Sequence, residues 1–116
     1  MNLINAKSWA EEMDVKVTVC DLKGTIVYLN RASALGLHKY GGSELIGKSI
    51  FDCHNSHSCD IIKEMLKLPI VNIYFVEKEG ERRFVRQFPW EEDGELRGII
   101  EISFTVPFDI PVKVRS

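Results

Sequence analysis

The sequence predicts an α+β fold in which two strands, a set of short helices, one longer helix and three further strands follow one another. Three observations carry that expectation. Val15, Val17 and Val19 alternate with Lys16, Thr18 and Cys20, the period-two pattern of a half-buried strand. Ile61, Ile62, Met65, Leu66 and Leu68 recur at helical spacing, with Asp60, Lys63, Glu64 and Lys67 on the other face. Three strand-like runs close the chain, Ile70 to Glu77, Arg82 to Trp90 and Leu96 to Val106.

Taken in order, Leu3, Ala6, Ala10 and Met13 make the apolar stripe of an N-terminal amphipathic helix over residues 1–13, which packs on its own domain or pairs with a second copy. The turn Asp21-Leu22-Lys23-Gly24 joins the first strand to a second, Thr25 to Leu29, as a hairpin. Asn30 is placed to accept a backbone hydrogen bond at the start of a short helix, Arg31 to Leu35, which Gly36 ends. From Gly36 to Asn55 the pattern breaks into short pieces, as expected of irregular cover over a core. The longer helix is predicted over Asp60–Leu68, with Pro69 as its stop. Short links, Lys78-Glu79-Gly80 and Glu91-Glu92-Asp93-Gly94, make the last three strands antiparallel neighbours. Pro107 and Pro111 stop the final strand, leaving residues 107–116 as a tail.

Composition narrows the function classes. A chain of 116 residues, 45% hydrophobic and 28% charged, has the apolar material for one core and enough charge for solubility. The net charge of -2 and scattered Lys and Arg make no footprint for nucleic acid or for an anionic membrane. No secretory leader and no apolar run of about 20 residues is visible, so a cytoplasmic location with reduced cysteines is expected. The odd cysteine count, Cys20, Cys53 and Cys59, argues against a disulfide framework.

Three stretches resemble the PAS family of sensory domains. They are Asp21 to Asn30, similar to the family's opening hairpin, Glu44-Leu45-Ile46-Gly47-Lys48-Ser49, and Glu92-Asp93-Gly94-Glu95-Leu96-Arg97-Gly98 before the last strand. The resemblance spans residues 14–106. It implies a five-stranded antiparallel sheet curved around the short helices and the longer helix, with a small-molecule pocket between them. Such domains report to an effector or partner protein. The tail Pro107-Phe108-Asp109-Ile110-Pro111 departs from the family's usual exit into a signalling helix.

The densest chemical cluster is Cys53-His54-Asn55-Ser56-His57-Ser58-Cys59. Cys53, His54, His57 and Cys59 are the candidate metal ligands, although their spacing is not that of a zinc finger. His54 or His57 is the candidate axial ligand of a non-covalent haem, with Ile62, Met65 and Leu66 flanking the ring. Cys53 and Cys59 also invite a redox reading, since a helix start lowers a thiol's pKa. Against all three stands a packing role for the cysteines, with the neighbouring polar groups satisfying backbone at the helix start. A covalent flavin adduct is disfavoured, because Ile50 stands where light-sensing relatives carry their reactive cysteine.

No phosphate-binding loop, nucleophile elbow or metalloprotease helix occurs, so a catalytic role is not expected. Phe84, Phe88 and Trp90 share one strand face with Arg86, a face expected to lie under the N-terminal helix or another subunit. The favoured reading is therefore a sensory or protein-interaction domain, a homodimer or the partner of a signalling protein, with a small ligand between the sheet and the 60–68 helix. The alternative is a small metal- or haem-dependent redox or gas sensor built on Cys53–Cys59.

Overall fold

Val17 and Ile102, from opposite ends of the chain, are direct partners in one sheet. The computed structural model describes residues 6–53 and 55–116. Five strands, β1 (Lys16–Asp21), β2 (Ile26–Leu29), β3 (Asn72–Lys78), β4 (Glu81–Glu92) and β5 (Glu95–Val106), lie in the order β2-β1-β5-β4-β3. Every pairing is antiparallel. The helices are α1 (Ala6–Glu12), α2 (Arg31–Gly36) and α3 (Ser56–Met65), with three 3-10 turns between α2 and α3. Leu3, the first residue of the predicted N-terminal stripe, lies outside the described residues. Among the described residues no helix is long and apolar enough to cross a membrane.

Two turns of one design set the register of the last three strands. Glu79-Gly80 and Asp93-Gly94 each place both residues at positive φ, 54° and 80° in the first and 52° and 79° in the second. This is the type I′ pattern, whose twist matches that of the strands it joins. In β5, Gly98 passes so close to β1 that a Cβ would overlap the Cys20 carbonyl oxygen.

The helix α3 begins at Ser56, four residues before the predicted start, because Asn55 caps it: the Asn55 side chain accepts from Ser58 N–H at 2.8 Å. Apolar spacing begins only at Ile61, so a polar first turn left no mark in the periodicity. At the other end Leu66 N–H bonds back to Ile62 and the helix stops at Met65, short of Leu68.

The core joins the inner face of the sheet to these helices: Cys20, Ile26, Leu29, Leu45, Ile50, Ile62, Met65 and Ile99, flanked by Leu37, Phe51, Ile61 and Leu66. The alternation in β1 has the predicted period, but Thr18 and Cys20 occupy the helix-covered face. Val17 and Val19 lie on the other side with Val27, Trp90 and Ile100, where Trp9 and Ala10 of α1 wall one flank of an apolar groove.

Asn30 ties the first half of the molecule together. It is fully buried, and its side-chain oxygen accepts from Val17 N–H and Ser33 N–H, both at 3.0 Å. Its amide nitrogen donates to the carbonyls of Ala10 at 2.9 Å and Val15 at 2.7 Å. One amide thus closes the end of α1, the start of β1 and the first turn of α2. Tyr28 adds a second tether for α1, donating to the Glu11 carboxylate at 2.8 Å.

Asn30→Ala is expected to lower unfolding free energy by about 2–4 kcal/mol in urea titration, since a cap is lost and buried backbone groups go unpaired. Asn30→Asp is expected not to rescue it at neutral pH, because a carboxylate would face two carbonyls where an amide now donates. Lowering the pH toward protonation should recover part of that loss.

Candidate functional site

The strand registers set four polar residues in one row across the inner face. Asn72 is opposite Gln87, Gln87 opposite Glu101, and Glu101 opposite Thr18. Asn72 Nδ2 donates to Gln87 Oε1 at 3.0 Å, and Gln87 Nε2 donates to Glu101 Oε2 at 2.9 Å. Thr18 Oγ1 and Ser33 Oγ, 2.6 Å apart, carry the row onto α2. A carboxylate only accepts, so Glu101 fixes which way the Gln87 amide faces, and Gln87 in turn fixes Asn72.

A cavity of about 320 Å³ lies between this row and α3, lined by Ser58, Ile61, Ile62, Asn72, Tyr74 and Gln87. The helix supplies the two isoleucines and the serine, and the sheet supplies two amides and a phenol. Its volume is at the lower end of the roughly 300–1,000 Å³ typical of small-molecule sites. None of the six lining side chains is charged. Burial, reinforced by the Glu101 carboxylate, holds the Tyr74 phenol above its ordinary pKa of 10.0, so it stays a neutral hydrogen-bonding group.

Elsewhere, burial and the Arg83 cation lower the Lys16 ammonium, with Glu81 and Glu101 opposing. Burial and the bond to Glu11 push the Tyr28 phenol up to about 12. Burial raises the Cys20 thiol to about 11.

The residues singled out in the sequence are distributed unevenly about this cavity. Ile62 forms part of its wall, Met65 is buried in the core, and Leu66 packs half-buried against that core. His57 is exposed in the first turn of α3. Cys59 is half-buried and directs its Sγ at the Phe51 carbonyl, 3.6 Å away. His54 and the side chain of Cys53 lie outside the described residues. Among the described residues, no group of three or more His, Cys, Asp or Glu could hold a metal ion. Among the described residues that line the cavity, none carries an imidazole or a sulfur. Ile50, at the position of the light sensors' cysteine, is a buried core residue.

Sequence reasoning missed Ser58, Asn72, Tyr74, Gln87 and Glu101. A signal existed: Asn72, Gln87 and Glu101 each place a polar side chain within a strand-like run that contains aromatic and aliphatic residues.

The profile of the PAS fold family matches residues 11–106, and the chain belongs to that family. Solved structures agree on the fold. The Aer2 receptor of Vibrio cholerae, described as a dual PAS-heme oxygen sensor, is 22% identical with a TM-score of 0.62, over 84% of this chain and 99% of that one. The PAS domain of an HTR-like protein from Haloarcula marismortui is 18% identical, TM-score 0.58, over 86% and 88%. A sensory box sensor histidine kinase from Vibrio cholerae is 15% identical, TM-score 0.62, over 89% and 90%. No curated protein sequence matches the chain.

Cys20 is expected to resist a thiol reagent in the folded chain and to react on unfolding. Its folded pKa is about 11 against an ordinary 9.0. The neutral buried thiol therefore contributes its full stability below pH 9.0, and that contribution is lost as pH rises through about 11. Urea midpoints across that window should fall for the parent chain and fall less for Cys20→Ala.

Proposed function

We propose that this chain is a cytoplasmic, non-catalytic sensory domain that binds a small neutral polar molecule between α3 and the inner face of the sheet. The observation that carries the reading is the Asn72–Gln87–Glu101 chain, whose two amides border the cavity with fixed orientation. Amides held this way offer a defined donor and acceptor edge, and Ile61 and Ile62 offer an apolar surface to the ligand's face. A charged ligand is disfavoured, because none of the lining side chains would neutralise it and an unpaired buried charge is costly. Taking about 30 Å³ per water-sized group, the cavity suits a molecule of about ten non-hydrogen atoms.

Catalysis forms no part of this reading: the lining holds two amides, a phenol kept neutral, a hydroxyl and two aliphatic chains, a set suited to recognition. Output passes to a partner protein through the apolar outer face, because residues on alternate faces of β3, β4 and β5 share one backbone. A ligand that favours one arrangement of the inner row biases the outer side chains through that backbone, as a shift between two packings.

Mass spectrometry of small molecules released when the purified chain is denatured tests this. One neutral species in stoichiometric amount is expected from the parent chain, and none from Ser58→Phe, which fills the cavity from the helix side. Parent and variant yielding identical extracts, with no stoichiometric species in either, would sink the reading.

A further inference from the structure

The two edges of the sheet are finished differently. At β2 the following loop closes the edge: Ile26 N–H donates to the Lys48 carbonyl at 2.9 Å, Gly47 N–H to the Ile26 carbonyl at 2.7 Å, and Thr25 bridges to Ser49. At β3, among the described residues, no strand follows. The type I′ turn at Glu79-Gly80 makes Lys78 and Glu81, which flank it, a hydrogen-bonded pair. Alternation along an antiparallel ladder then turns the backbone groups of Asn72, Tyr74 and Val76 toward β4, and leaves those of Ile73, Phe75 and Glu77 facing outward. Ile73 and Phe75 are each 54% exposed. An apolar edge of this kind is a template for another strand.

Past β5 the chain carries a segment with a strand's own period. Phe108, Ile110, Val112 and Val114 alternate with Asp109, Pro111, Lys113 and Arg115, and Val112 and Val114 are 87% and 91% exposed. Pro107 and Pro111 fall on the same backbone edge as Asp109 and Lys113, so that edge lacks two donors. The opposite edge keeps the N–H groups of Phe108, Ile110, Val112 and Val114. Such a strand pairs on one side only, and its prolines end the sheet there.

We propose that the β3 edge receives residues 108–114 of a second copy of this chain as a sixth, antiparallel strand, the two copies exchanging these segments reciprocally. A register that matches outward groups on both strands and aligns the whole segment with the edge sets Phe108 opposite Glu77, Ile110 opposite Phe75, Val112 opposite Ile73 and Val114 opposite Val71. On the other face it sets Asp109 diagonal to Lys78, an attractive cross-strand pair. The exposed surface of the apolar side chains so covered is roughly 800 Å² per copy. Burying most of it twice brings the exchange to the roughly 1,200–2,000 Å² of a specific interface.

Reach assigns the segment to a second copy. The sixth-strand position lies three strand spacings from β5, roughly 14 Å, whereas two residues past Val106 span about 7 Å. The chain's own Phe108 therefore cannot lie opposite its own Glu77 in that strand. Instead it stacks over the Arg82 guanidinium at 4.6 Å, on the outer face. The exchange does not depend on the ligand cavity, and its test reads assembly alone.

Sedimentation velocity on the full chain and two proline variants decides it. Val112→Pro deletes an N–H aimed at β3, and Lys113→Pro deletes one aimed away. The parent chain is expected to dimerise, with the dissociation constant raised at least about tenfold by Val112→Pro and changed less than about threefold by Lys113→Pro. Ile73→Pro, on the receiving strand, should match Val112→Pro. In the parent chain, hydrogen exchange at Ile73, Phe75 and Glu77 should slow as protein concentration rises. Equal dimerisation by both tail variants overturns the proposal, as does a parent chain that stays monomeric. Protection of those amides independent of concentration also overturns it, in favour of closure by the chain's own tail.

Discussion

The Asn30 carboxamide is the constraint on which the arrangement of the first half of the molecule depends. Its four hydrogen bonds join three segments through one side chain: the end of α1, the entry to β1 and the start of α2. Each bond has the polarity that an amide alone supplies, two accepted on oxygen and two donated from nitrogen. A carboxylate, a hydroxyl or an aliphatic side chain of similar size would leave at least one buried partner unmatched. Because β1 is paired with both β2 and β5, fixing its entry also fixes where the two ends of the chain meet in the sheet.

The sheet then presents two faces of different character. The face under the helices carries Thr18, Asn72, Gln87, Glu101 and Ser103 among the buried apolar residues Cys20, Val85 and Ile99. The face away from α3 carries Val17, Val19, Phe84, Phe88, Trp90, Ile100 and Ile102. Polar groups are tolerated inside because they satisfy one another; among the described residues, no buried side-chain nitrogen or oxygen lacks a partner. Apolar groups on the outer face are partly sheltered by one another, with Phe84 set 5.9 Å from Phe75 and 5.4 Å from Phe104 between ring centroids. Arg86 lies over the Phe88 ring at 4.7 Å. Such a surface suits a partner better than bulk water.

Much of this fold was legible in the sequence, because period two, period 3.6 and turn residues are local signals. The hairpins, the Asn30 cap and the Glu79-Gly80 and Asp93-Gly94 turns are all set by residues within a few positions of each other. What could not be read was which face of each strand would be covered, since alternation gives the period and not the direction. The valines of β1 and the isoleucines of β5 form one consistent face either way. Their outward placement leaves Cys20 and Ile99 on the covered face, where both are buried in the core. The candidate site suffered from the same limit. Cys53 to Cys59 stand out because sulfur and imidazole are conspicuous in a sequence. Asn72, Gln87 and Glu101 are ordinary residues, each in a different strand, and only the register makes them a row.

That row also bears on how a change inside the domain would be felt outside it. In β4 the inward Gln87 sits between Arg86 and Phe88, and in β5 the inward Glu101 sits between Ile100 and Ile102, all four neighbours pointing to the outer face. The amide orientation of Gln87 is set from the Glu101 side and transmitted to Asn72, so a ligand group that competes for the Asn72 or Gln87 amide must either respect that polarity or rotate it. Rotating it would turn the Gln87 oxygen toward the Glu101 carboxylate, an unfavourable contact that a shift between the two strands would relieve. Because β4 and β5 are paired along nearly their whole length, such a movement cannot be confined to one side chain. Phe88, Ile100 and Trp90, on the outer face of these two strands, would be displaced with it.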